Sequence, residues 1–100
     1  MYIYNVTTQV KWIIHDAWLS WMKNEHIPEM MATELFTHFR MVKMLEIDES
    51  DGPTYAVQYF IISRDKYDLY IQQFSADGRN KALEKWKENI FSFRSLMQVV

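Results

Sequence analysis

Three histidines are the side chains of this sequence that titrate near neutral pH, and there is no cysteine to share the work. His26 holds the most chemical promise. Glu25 precedes it, and Glu29 follows three residues later across Ile27-Pro28. An imidazole among carboxylates can serve as a general base or hold a substrate. The same position predicts a helix C-terminal cap, where a cation is favourable and the last carbonyls need donors; the cap is the expected role. Tyr4, Tyr55 and Tyr59 could line a cavity with His26 and Trp18. An apolar cleft carrying a few hydroxyls suits a small apolar ligand, although a core short of Leu would use these rings in the same way. Asn5, Gln58 and Arg94 form a third set. If they share a sheet face, the two carboxamides can satisfy the guanidinium and fix the register of two packed sheets.

Other chemistries fall away. Without Cys there is no disulfide, zinc-thiolate site or thiol nucleophile. His15, His26 and His38 are eleven and twelve residues apart. Eleven helical residues span about 16 Å, too far for joint coordination, so no metal site and no cofactor is expected. The acidic run Asp48 to Asp51 opens like a calcium loop, but Tyr59 stands where the bidentate Glu would be required. The formal charge of −2 provides no broad basic field for nucleic acid or anionic lipid. RNA-recognition domains share the strand-helix order read below, but Asp51-Gly52-Pro53 is acidic where they are basic, and Val57 takes an aromatic position. No apolar run approaches the roughly 20 residues that span a bilayer. The N-terminus reads as a strand instead of a signal peptide, so a cytoplasmic location is expected.

The elements that must position these residues follow from periodicity. Tyr2 to Val10 alternates aromatic and β-branched residues and reads as a strand. Ile14, Trp18, Trp21 and Met22 recur at helical spacing, giving a helix over His15 to Glu25. Pro28 is expected to push Ile27 out of the helical region and to open a short helix through Ala32. Phe36 to Ile47 is extended, Asp48 to Pro53 is turn chemistry, and Thr54 to Ile62 is an apolar strand. Ser63 caps a helix with the stripe Tyr67, Tyr70, Ile71 and Phe74. Asp77-Gly78 is expected to break it, before a further helical face at Ala82, Leu83 and Trp86. Ile90 to Val99 is the fourth strand.

The order is βαββαβ over one domain, residues 1–100. Right-handed crossovers place the first and third strands at the centre of a four-stranded antiparallel sheet with helices on one face, a ferredoxin-like α+β fold. Alternation then divides the sheet. Tyr2, Tyr4 and Val6, Phe39, Met41, Leu45 and Ile47, Tyr55, Val57, Tyr59 and Ile61, and Phe91, Phe93, Met97 and Val99 are assigned to the helix side. The opposite face takes Ile3, Asn5, Val42, Met44, Gln58, Phe60, Ile62, Arg94 and Leu96. That mixture is too apolar for water, so the chain is expected to pair with itself through this sheet face.

Several stretches carry a resemblance: Tyr4-Asn5-Val6-Thr7, Trp18-Leu19-Ser20-Trp21-Met22, His26-Ile27-Pro28-Glu29, Asp51 through Tyr59, and Phe93-Arg94-Ser95-Leu96. In order and over nearly the whole chain they resemble an uncharacterised family of small Bacteroidetes-type bacterial proteins. That family belongs among the dimeric α+β barrel proteins. The chain departs from it with Glu34 where Gly is expected, and with Ser95 in place of Thr. The resemblance implies a ferredoxin-like homodimer and no agreed activity. Fold relatives include cofactor-free oxygenases and isomerases, but function does not travel with fold. The leading expectation is a homodimer with a binding or structural role. The alternative is a cofactor-free small-molecule enzyme using His26 as base.

Overall fold

The computed structural model describes residues 1–100. Strands β1 (Tyr2–Val10), β2 (His38–Lys43), β3 (Thr54–Ile61) and β4 (Ile90–Gln98) form one antiparallel sheet in the order β2-β3-β1-β4. Helices α1 (His15–Trp21) and α2 (Ile27–Ala32) lie between β1 and β2, and α3 (Arg64–Gln73) and α4 (Ser75–Trp86) between β3 and β4. The ferredoxin-like α+β fold expected from the strand and helix order is the fold observed.

The register sorts the side chains. Tyr4 stands opposite Tyr59 and Val6 opposite Val57, and directly opposed residues share a face. Tyr4, Val10, Val57, Tyr59 and Ile61 form one core with Trp18, Met22, Ile27, Met30, Tyr70 and Trp86 from the helices. Every strand residue in or against that core has this one parity, so the other face of the sheet carries none of the helix packing. Ile61 and Val10 are wholly buried, each contributing roughly 1.5–3 kcal/mol from area removed from water.

Four local expectations need correction. First, the helix that starts at His15 does not end near Glu25. Met22–His26 form a wide turn in which the Ile27 N–H bonds to the Met22 carbonyl five residues back. That turn absorbs one extra residue and runs directly into α2. Ile27 stays helical, and Pro28 falls in the first turn of α2, where its missing N–H is not required. Second, the later helical segment breaks at Phe74, not at Asp77-Gly78, and α4 runs through Gly78. Third, β2 is shorter than the extended pattern suggested. Phe36 is buried ahead of it, while Leu45 and Ile47 lie beyond the sheet and are exposed.

The fourth correction has the widest effect. Arg94 pairs with Val6, Leu96 with Tyr4, and Phe93 with Thr7. Arg94 and Leu96 therefore lie on the helix side, while Phe91, Phe93 and Met97 belong to the open face. Alternation sets parity within a strand but not its absolute phase. β4 is an edge strand with apolar residues on both faces, so its pattern fits either phase equally well.

The connections are fixed by local hydrogen bonds. The Ser63 hydroxyl accepts from the Lys66 N–H at 3.2 Å, capping α3 as its sequence position foretold. The Asp48 carboxylate accepts from the Ser50 N–H at 2.9 Å in the β2-β3 connection. Gly52 then passes so close to β1 that a Cβ would lie 1.7 Å from the Val10 carbonyl oxygen. Glu34 has φ of 62°, the left-handed conformation after a helix that glycine fills most cheaply, at a cost of about 1 kcal/mol.

Candidate functional site

The sequence-picked residues fall into three places. Tyr4, Tyr59, Trp18 and His26 all line a cavity of about 40 Å³ between helices and sheet. Tyr55 is not part of it. Asn5 and Gln58 stand opposite each other on the open face, separated from Arg94 by the whole thickness of the sheet. The proposed trio is thus divided, because β4 has the opposite phase. Arg40 takes the place expected of Arg94: its guanidinium donates to the Gln58 carbonyl oxygen at 2.9 Å. The Asn5 amide donates to the Thr7 hydroxyl at 2.9 Å.

His26 does not cap a helix. No side-chain capping bond forms there, since the helical path continues past it. The ring stacks on Trp21 with centroids 4.8 Å apart. Burial lowers its pKa below the ordinary value of 6.5. Glu29 opposes that shift, and Arg94 and Lys81 reinforce it. The neutral imidazole, able to accept a proton, is therefore the form held at neutral pH. On the far side of His26, Met30, Tyr70 and Gly78 lies an outer cleft of about 320 Å³. These four residues line both spaces, so they form the partition between them. Lys81 stands in the outer cleft between Glu29 at 3.5 Å and Asp77 at 3.3 Å, tying α2 to α4.

The tyrosines give the inner cavity its character. Tyr59 is almost completely buried, and its hydroxyl meets no hydrogen-bond partner in the protein. An orphaned buried donor costs about 1–3 kcal/mol, so the position calls for an explanation. Burial pushes the Tyr59 and Tyr70 hydroxyls well above the ordinary 10.0, keeping both protonated. Burial also raises Tyr4, with Arg94 and Arg79 pulling the other way. The Tyr70 hydroxyl donates to the Met30 sulfur at 3.3 Å. Hydroxyls of Thr8 and Ser92, paired at 2.8 Å across β1 and β4, line the same cavity.

Two features of the region carried no signal in the sequence reading. Arg79 lines the cavity because α4 runs through Gly78; with Ala82, Leu83 and Trp86 it makes an i, i+3, i+4, i+7 stripe that this continuity would have revealed. His15, considered only as a metal ligand, bonds through Nε2 to the Tyr55 hydroxyl at 2.7 Å and through Nδ1 to Asp16 at 2.9 Å. Forty residues separate His15 from Tyr55, so no local spacing announces the pair.

Residues 1–100 match the model of a domain of unknown function, DUF4286. The chain belongs to that family. No curated protein matches this DUF4286 chain. Solved structures show where its fold recurs. A dimeric ferredoxin-like protein from an uncultured marine organism superposes with a TM-score of 0.74 at 12% identity, over 99% of this chain and 94% of that one. An ethyl tert-butyl ether D family protein from Bacillus halodurans gives 0.71 at 9% identity, over 100% of both chains. A protein from Arabidopsis thaliana gives 0.63 at 12% identity, over 98% of this chain and 97% of that one. At these identities the likeness establishes the fold alone. No helix of the DUF4286 chain is long and apolar enough to cross a membrane.

Proposed function

We propose that this chain is a single ferredoxin-like domain that works as a homodimer through its open sheet face and holds a small molecule in the cleft among α2, α3 and α4. The observation that carries the ligand reading is the cleft of about 320 Å³ against α2, α3 and α4, a size that suits a small molecule, with the neutral His26 in its wall. The homodimer rests on the rows of the open face. One row runs Val42, Ala56, Thr7, Phe93, and another His38, Phe60, Ile3, Met97. Phe93 is 54% exposed and Phe91 70%, an apolar surface that a second copy would cover. The dimeric ferredoxin-like neighbour supports the same assembly. A bacterial, Bacteroidetes-type source and a cytoplasmic location fit the sequence resemblance and the lack of Cys.

A thermal-shift screen of small molecules, run alongside light scattering, tests both halves. Ligands that engage the cleft raise the melting temperature and perturb the fluorescence of Trp21, whose ring stacks on His26. A screen without a single stabilising compound removes the ligand reading, and a monomer at micromolar concentration removes the dimer.

A second reading has its own support. His26 is unpaired, held neutral, and shares a cavity with a protonated Tyr59. That arrangement suits cofactor-free proton abstraction, with His26 as base and the tyrosine hydroxyl stabilising the charge that develops. On this reading His26→Gln leaves the fold and ligand binding in place and lowers turnover by roughly 10²–10⁴-fold. Unchanged turnover would exclude His26 as the base.

A further inference from the structure

We infer that the cleft among α2, α3 and α4 takes a flat, uncharged molecule carrying a hydroxyl, which lies over Gly78 and donates a hydrogen bond to His26. The inference rests on the cleft's being a ligand site, as proposed above, and adds the chemical class and the residue that makes room for it. Gly78 lies inside α4 with an ordinary helical backbone, where glycine is less stable than every residue but proline. Packing does not require it either. Outside its own helix, a Cβ at this position would meet only the Cε1 of His26, at an ordinary contact distance of 3.8 Å. Neither the backbone nor a neighbour calls for the missing side chain; its absence leaves open space in the wall of the cleft. The use that remains for a glycine here is to let a ligand approach the helix backbone closely.

His26 gives that space its chemistry. Cε1 is the ring carbon between the two nitrogens, so the edge nearest Gly78 is the edge that can bond. Neither nitrogen has a partner in the protein, yet neither is sealed, since the buried polar atoms left unpaired are the Tyr59 hydroxyl and the Trp86 Nε1. Trp21 stacks on the ring at 4.8 Å and leaves that edge free. Burial keeps the imidazole neutral, with one nitrogen able to accept. Met30 and the 38% exposed Phe74 ring supply an apolar floor for a flat body. Charge selects against ions. The formal charges lining the cleft are the Glu29 and Asp77 carboxylates and the Lys81 ammonium, two against one, an excess that repels an anion. Lys81 already lies 3.5 Å from Glu29 and 3.3 Å from Asp77, so a cationic ligand would have to displace it. A neutral donor reaches His26 without disturbing either pair.

Calorimetric titration of the whole chain tests this with four probes of one shape: naphthol, its methyl ether, naphthoate and naphthylmethylammonium. Naphthol is expected to bind about fivefold or more tightly than the ether, the size of one hydrogen bond, and more tightly than either ion. His26→Phe keeps a ring to stack on Trp21 and should abolish that preference while leaving the ether's affinity unchanged. Gly78→Leu fills the wall with a better helix former, so it should block every probe with the melting temperature held or raised. Should the leucine unfold the chain, Gly78→Ala reads the same effect as a higher melting temperature with weaker binding. An ether as tight as naphthol, an ion tighter than both, or a preference that survives His26→Phe would overturn the hydroxyl inference and leave the cleft reading standing. Binding untouched by the Gly78 variants would overturn the placement over Gly78. Failure of every probe to bind would end both.

Discussion

The two faces of the sheet are built from the same four strands by the same alternation, yet they do different work. The helix side gathers rings into a core: Tyr4, Tyr59, Tyr70 and Phe36 meet at centroid distances of 5.1–6.4 Å, tilted against one another. The open face keeps its phenylalanines apart and mixes them with polar groups. His38 stacks on Phe60 at 4.1 Å, Arg40 lies 5.8 Å from the same ring, and Gln58 binds Arg40. A core needs density and tolerates polarity only at a cavity; an interface needs a polar pattern as well, because that is what fixes one register among many. The core leaves two buried polar atoms unpaired, the Tyr59 hydroxyl and the Trp86 Nε1, while the excess of the open face, its exposed phenylalanines, points to a partner.

The comparison breaks most visibly at Trp18. Trp18→Ala empties the centre of the core and should cost about 3–5 kcal/mol in urea denaturation. A loss under about 1 kcal/mol would mean that the helix side is not the core at all. On the other face, Phe93→Asp should split the proposed dimer by burying an unpaired charge, giving a species of 12.2 kDa in light scattering with its circular dichroism intact. A dimer that survives this substitution uses some other surface.

The arginines sharpen the contrast further. Arg40→Met removes the bond to Gln58 and should weaken the dimer by roughly 0.5–1.5 kcal/mol, seen as a shift in the dissociation curve. Arg94→Met should leave that curve unmoved, since Arg94 faces the helices. Identical shifts from both would contradict the register of β4.

The smallest effect concerns pH. Burial lowers the His26 pKa in the folded chain, so the unfolded chain binds the proton more readily. The contribution to stability is therefore complete above about 6.5 and is lost as the pH falls below it. Melting temperatures taken from pH 7.5 to 5 should fall for the native chain, and less steeply for His26→Gln. A cap would do the reverse and gain strength on acidification. Parallel curves for the two proteins would show that His26 is not the group responsible.

Local patterning was enough for a good deal of this molecule. Strand alternation in β1 and β3, helical spacing around Trp18 and Tyr70, the Ser63 cap and the turn at Asp48 to Pro53 each depend on neighbours in sequence, and with right-handed crossovers they yield the ferredoxin-like order. Tyr4, Tyr59, Trp18 and His26 come together because they sit on central strands and on the helix that must cover them, whereas Tyr55, read with them, does not join them. What tertiary structure decided was phase and pairing. β4, apolar on both faces, takes its phase from hydrogen bonding to β1, and that alone moved Arg94 into the cavity and Phe93 onto the open face. The wide turn at Met22–His26 and the unbroken path of α4 through Gly78 follow from packing, which overrides the weak local preferences of Pro28 and Gly78. Sequence supplies periodicity because neighbouring residues share one backbone; it leaves phase free because only a partner strand or helix, distant along the chain, distinguishes one face from the other.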